Sequence, residues 1–184
     1  MENKILALIA SFLAMSFVVI SYFVKKKSLY LLFQALCIVF LITSYFFTVQ
    51  FFAMVGLAVG LLRTFVFFVY EKKDKQAPLW IACGLAILTL ASYFIVNFWI
   101  LGQSDPLDSL LLIALVGYAF IFRIRDMKTV RLTMPVPTAL CILYNSLSGA
   151  ALFASLSYTF ELTANVVSIY KYHILPKRSK YENH

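Results

Sequence analysis

Seven apolar stretches of near-membrane length, joined by short polar or basic connections, dominate this chain. They lie near 4–24, 28–47, 50–70, 79–101, 109–124, 132–147 and 150–172. A helix needs about 20 mostly apolar residues to cross the hydrocarbon core. Lipid offers backbone amides no partners, and a helix satisfies them internally. Of 184 residues, 62% are hydrophobic and only 13% charged. A soluble domain of this size cannot bury that much apolar surface. The expected fold is therefore all-α: a polytopic membrane protein of about seven transmembrane helices.

The charges assign sides to these helices. Basic residues cluster at 25–27, at Lys72, Lys73 and Lys75, at Arg123, Arg125, Lys128 and Arg131, and from Lys171 to Lys180. With seven spans, every cluster falls on one side, and the acidic Asp105 and Asp108 fall on the other. Lys4 lies opposite the clusters, and Arg63 lies within a span. The positive-inside rule then places the N-terminus outside and the C-terminus in the cytoplasm. A formal charge of +8 distributed in this way reflects membrane orientation, so no nucleic-acid partner is expected. Trp80 and Trp99 bracket span four, about 28 Å apart along a helix, as interface anchors do.

The tetrapeptide Ala-Leu-Cys-Ile occurs at 35–38 and again at 139–142, an offset of 104. At the same offset Leu6, Leu8, Ile9 and Ala10 meet Leu110, Leu112, Ile113 and Ala114, and Lys27 meets Arg131. The shift lays spans one to three onto spans five to seven. Two parallel three-helix repeats follow, at 1–76 and 105–175, with a linker helix at 77–104 and a cytoplasmic tail at 176–184.

Chemistry inside the membrane is confined to few residues. On span seven, Ala150, Ala154, Ser157, Glu161, Asn165 and Ser168 share an arc of about 80°. An ionised carboxylate there is expensive, so Glu161 must be protonated, paired or beside a wet cavity. Asn165 shares its face and can both donate and accept. Both are candidate substrate contacts, and both also fit interhelical hydrogen bonds. Arg63 either snorkels to the interface or turns inward with Gly56 and Gly60, a small-residue contact motif. If it turns inward, Glu161 is its candidate partner. Tyr144 and Asn145 lie at the outer end of span six, where they could line a vestibule or bond the turn before Gly149. Pro135 and Pro137 sit in the first turns of that span, where proline costs little.

Cys37, Cys83 and Cys141 all lie in apolar runs and read as small buried residues. The two histidines, His173 and His184, lie near the tail. With no metal-ligand cluster, nucleophile pair or acid pair, neither an enzyme nor a cofactor is expected. A retinal-type receptor would need a lysine in mid-span seven, and Lys171 is at the membrane edge.

Three helices, a linker and three helices resemble the SWEET sugar transporters and the PnuC-type vitamin transporters. In SWEET-like proteins Asn residues on the third and seventh helices read the sugar; Asn165 occupies the matching seventh helix. Gly60-Leu61-Leu62-Arg63-Thr64, together with Tyr144-Asn145, Gly149 and Asn165, resemble the YgjV-like bacterial inner-membrane proteins. That resemblance implies a multi-pass protein of the bacterial cytoplasmic membrane. The functional expectation is a small polar solute transporter working by alternating access between two repeats. Its partners would be membrane lipid and a small polar or zwitterionic solute, and a homo-oligomer is compatible with it. The alternative is a non-transporting membrane partner, such as an assembly or regulatory subunit.

Overall fold

The computed structural model describes residues 2–49, 51–100, 102, 106–147 and 152–175. Every regular element among them is helical. The chain runs through α1 (Glu2–Phe23), α2 (Lys27–Phe47), α3 (Phe51–Lys72) and α4 (Leu79–Phe94). A wider π turn, Ile95–Ile100, extends α4. Then come α5 (Asp108–Ile121), α6 (Met127–Thr133), α7 (Pro135–Leu147) and α8 (Leu152–Ile169), the last extended by a π turn at Tyr170–Ile174. Counting α6 and α7 as one interrupted span gives seven units, as expected.

The units are unequal. Ile5–Phe23, Lys27–Phe47, Ala53–Lys72 and Leu79–Trp99 are long and apolar enough to cross a membrane; Asp108–Ile121 is a shorter apolar helix. The sixth span departs from the expected 132–147 because α6 begins earlier. Asp126 caps it, its carboxylate accepting from the backbone amides of Lys128 and Thr129 and from the Thr129 hydroxyl. Pro135 and Pro137 then interrupt the ladder, since neither can donate to the carbonyl four residues back. Flanking bonds from Met134 to Val130 and from Thr138 to Met134 keep the two pieces nearly continuous. Between α2 and α3, Val49 turns the chain with a φ of 59°.

Each span packs on the next in chain order, and α8 closes the ring on α1; α3 also meets α5. α1 and α8 run in the same direction: Ser157 donates to the Ser11 carbonyl near one end, and Tyr172 donates to the Phe23 carbonyl at the other. An odd number of alternating spans requires that. The basic connections meet on one side. Lys27, buried, pairs with Glu71 at 3.6 Å. Arg125 pairs with Asp74, and Arg123 donates to the Ala77 carbonyl.

Lipid-facing and inward-facing positions keep step at an offset of 104. Buried Ala10, Cys37, Leu57 and Gly60 correspond to buried Ala114, Cys141, Glu161 and Ala164. Exposed Ile9, Leu32, Val39 and Leu62 correspond to exposed Ile113, Val136, Leu143 and Val166. The third pair departs from the pattern: buried Gly56, Arg63 and Phe67 correspond to exposed Phe160, Val167 and Lys171. Trp80 and Trp99 both face outward, at 72% and 88% exposure, at the two ends of the fourth span. Cys37 and Cys141 are buried, but Cys83 is exposed because its face of α4 points away from the ring. All three thiols are free.

Candidate functional site

Helix α8 sorts its residues as the arc predicts. Ser157, Glu161, Asn165 and Ser168 are buried, whereas Leu156, Phe160, Val166 and Val167 are exposed. Gly149 and Ala150 lie outside the described residues, as does the Ala154 side chain. A polar stripe in lipid is stable only if protein or water covers it, and here α1 and α7 cover it.

Glu161 reaches into the middle of the ring. Its Oε1 accepts from the Tyr22 hydroxyl at 2.8 Å, a bond from the first transmembrane helix to the last. Gln34 of α2 donates to Ser21 at 3.1 Å. Glu161 and Gln34 border a cavity of about 30 Å³ between α2, α3, α5 and α8. That is room for a water molecule or two. Cys37, Arg63, Tyr118 and Tyr158 line it as well, and all of its lining residues are buried.

Arg63 does not snorkel. It is 3% exposed, and its Nη1 donates to the Leu115 carbonyl on α5. The guanidinium lies over the rings of Tyr118, at 5.5 Å, and Phe122, at 5.3 Å. Such faces favour a desolvated cation. The glycines of α3 make room for this. A Cβ on Gly56 would come within 2.8 Å of a Leu115 methyl, and one on Gly60 within 3.4 Å of the Arg63 guanidinium. The inward reading of the Gly56-x-x-x-Gly60 motif is therefore realised, with α5 as the partner. The direct Arg63–Glu161 pair is not. The two side chains line one cavity but form no ion pair, because the Leu115 carbonyl and two aromatic faces take the guanidinium while Tyr22 takes the carboxylate. The Arg63 Nε is left without a partner.

Asn165 is fully buried, and neither end of its amide has a protein partner. It does not border the cavity. Asn145 is also buried but bonded at both ends of its amide: its Nδ2 donates to the Cys141 carbonyl at 2.7 Å, and its Oδ1 accepts from Tyr45 of α2 at 3.1 Å. Asn145 and the buried Tyr144 therefore do not line an open vestibule.

Sequence reading missed Arg131. It belonged to a basic cluster expected in water, yet it is 4% exposed. Its guanidinium donates to the carbonyls of Tyr22 and Val24, at 3.3 and 3.0 Å, and lies 4.5 Å over the Tyr172 ring. Tyr172 in turn donates to the Phe23 carbonyl at 2.9 Å. The last carbonyls of a helix lack internal partners, and a cation satisfies them well. The available signal was positional: Arg131 lies 104 residues after Lys27, which is likewise buried at its helix start.

A family described as "Bacterial inner membrane protein" (Imp-YgjV) matches residues 5–175. The chain belongs to this family, and its multi-pass fold lies in the bacterial inner membrane. Comparisons with curated proteins and with solved structures find no match.

Proposed function

We propose that this inner-membrane protein moves a small polar or zwitterionic solute by alternating access, through the cavity that Arg63 and Glu161 border. One observation carries the reading. A carboxylate and a guanidinium line one central cavity without neutralising each other. Burying both is costly in lipid, and such groups mark solute or ion pathways. The moving parts would be two like-oriented repeats, at 1–76 and 105–175, with 77–104 as a linker. Burial that matches at the offset of 104 at many positions of the first two helix pairs, and at several of the third, supports that division. A three-one-three arrangement of this kind would be that of SWEET-type and PnuC-type transporters. The one-sided basic clusters support a cytoplasmic C-terminus and an external N-terminus. The test is uptake of a panel of amino acids, sugars and nucleosides into proteoliposomes. Native protein should accumulate one class, and Glu161→Gln should abolish it. No uptake of any class, with folded protein in the bilayer, would count against the reading.

A second reading has its own support. A cavity of about 30 Å³ is too small for most solutes, as suits a closed scaffold that serves as an assembly or regulatory subunit. Copurification with one fixed partner, in a constant ratio, would favour it.

A further inference from the structure

The residues that line the cavity are all buried, and beyond it on either side a contact joins the first part of the chain to the second. Toward the basic side, the last carbonyls of α1 are held by Arg131 of α6 and Tyr172 of the α8 extension. Toward the opposite side, the Tyr45 hydroxyl of α2 donates to Asn145 of α7. Tyr45 lies one turn beyond Leu41, and Asn145 one turn beyond Cys141; Leu41 lines the cavity and Cys141 is buried. The two closures differ in chemistry. The basic-side latch is a cation against helix-end carbonyls and an aromatic face. The opposite latch is a neutral hydrogen bond, on the same side as the longer one from Ser157 to the Ser11 carbonyl, and Asn145 is also fastened to its own helix through the Cys141 carbonyl.

We infer that these contacts are the two gates of the central site, and that the structure is its occluded state. Arg131 with Tyr172 is the gate on the basic side; Tyr45 with Asn145 is the gate on the other. This rests on the transport reading and supplies what that reading lacks, namely the residues that decide which side the site faces. A two-state element responds to a lost contact in proportion to that contact's share in one state. Deleting one gate should therefore open the cavity to one side only. Arg131 contributes charged hydrogen bonds, so its loss should shift the equilibrium by about tenfold or more. The neutral Tyr45 contact should shift it by less.

Cys37 is a built-in reporter, because it lines the cavity and is buried while both gates are shut. With Cys83→Ser and Cys141→Ser in place, it is the chain's one thiol. A membrane-impermeant maleimide can then be applied to the basic face in inverted vesicles, and to the opposite face in intact spheroplasts. Arg131→Ala should raise the Cys37 labelling rate about tenfold from the basic face alone. Tyr172→Phe, which removes one hydroxyl and keeps the ring, should raise it less from the same face. Tyr45→Phe and Asn145→Ala should raise it from the opposite face alone. The assignment is overturned if the two pairs leave labelling at the native rate, or if both expose Cys37 to the same face. Should Arg131→Ala fail to accumulate, Tyr172→Phe against Tyr45→Phe decides the question. The assay needs no solute. Side-specific labelling without uptake would leave the gates standing and reject the transport reading for the solutes tried.

Discussion

Tyr22 and Glu161 join the first and last membrane helices through a 2.8 Å hydrogen bond, and among the described residues no cation forms an ion pair with that carboxylate. The carboxyl group is held by a neutral donor on a cavity wall. Tyr22 also offers its backbone carbonyl to Arg131. One residue thus ties the site to the closure on the basic side.

Removing the Tyr22 hydroxyl should cost little stability and much function. Interhelical hydrogen bonds within membranes are worth about 0.5–2 kcal/mol. Tyr22→Phe should therefore lower the unfolding midpoint in detergent modestly, as followed by thermal aggregation. Glu161→Gln preserves shape and an acceptor, so it should leave the midpoint within a few degrees of native. Collapse of the fold in Glu161→Gln would show that the carboxylate is a structural strut.

Charge exchange between Arg63 and Glu161 should fail to restore anything. Each group has its own partners, so the double reversal Arg63→Glu with Glu161→Arg should be at least as damaged as either single change. Arg63→Lys should also be defective. An ammonium cannot present a flat face to both Tyr118 and Phe122. A double reversal that recovers native yield and midpoint would mean that the two charges do pair.

The α3–α5 contact predicts a size rule. Gly56→Val should destabilise by about 1–3 kcal/mol, because its branch enters the Leu115 side chain. Pairing Gly56→Ala with Leu115→Ala should recover part of the loss seen in Gly56→Ala alone. Additive losses in the double variant would place the two residues apart.

Asp126 gives a pH signature outside the membrane. Its carboxylate is held below the usual range, first by the Thr129 hydroxyl and then by the backbone amides of Thr129 and Lys128. A depressed folded pKa means the cap's contribution is whole above the unfolded value, near 4, and is lost as pH falls through the folded value. Asp126→Ala should cost about 1 kcal/mol at neutral pH, and less under strong acid. A midpoint difference that stays constant from pH 7 to pH 2 would remove the cap from the account.

Much of the fold was legible because lipid imposes strong local rules. Apolar runs must be helical, and basic residues must gather at one set of helix ends; Lys27, Arg123 and Arg125 do so. The α8 stripe was legible for the same reason, since burial of Ser157, Glu161 and Asn165 against exposure of Phe160 and Val166 is a matter of helical phase.

What local periodicity alone could not supply was partnership. It showed that Arg63, Asn145 and Glu161 were inside the membrane, but not that their partners would be Leu115, Tyr45 and Tyr22. It placed Arg131 in water, since a basic cluster between two spans is ordinarily solvated. Which polar groups meet depends on how far one helix slides and turns against another, and that is set by side-chain packing such as Gly56 against Leu115. The sequence by itself determined a membrane-spanning helical chain with one basic side, through the cost of placing charge and unpaired backbone in lipid. Only the tertiary structure decided that Arg63 and Glu161 would take separate partners and that Arg131 would be buried against the end of α1, because those pairings depend on how the helices pack.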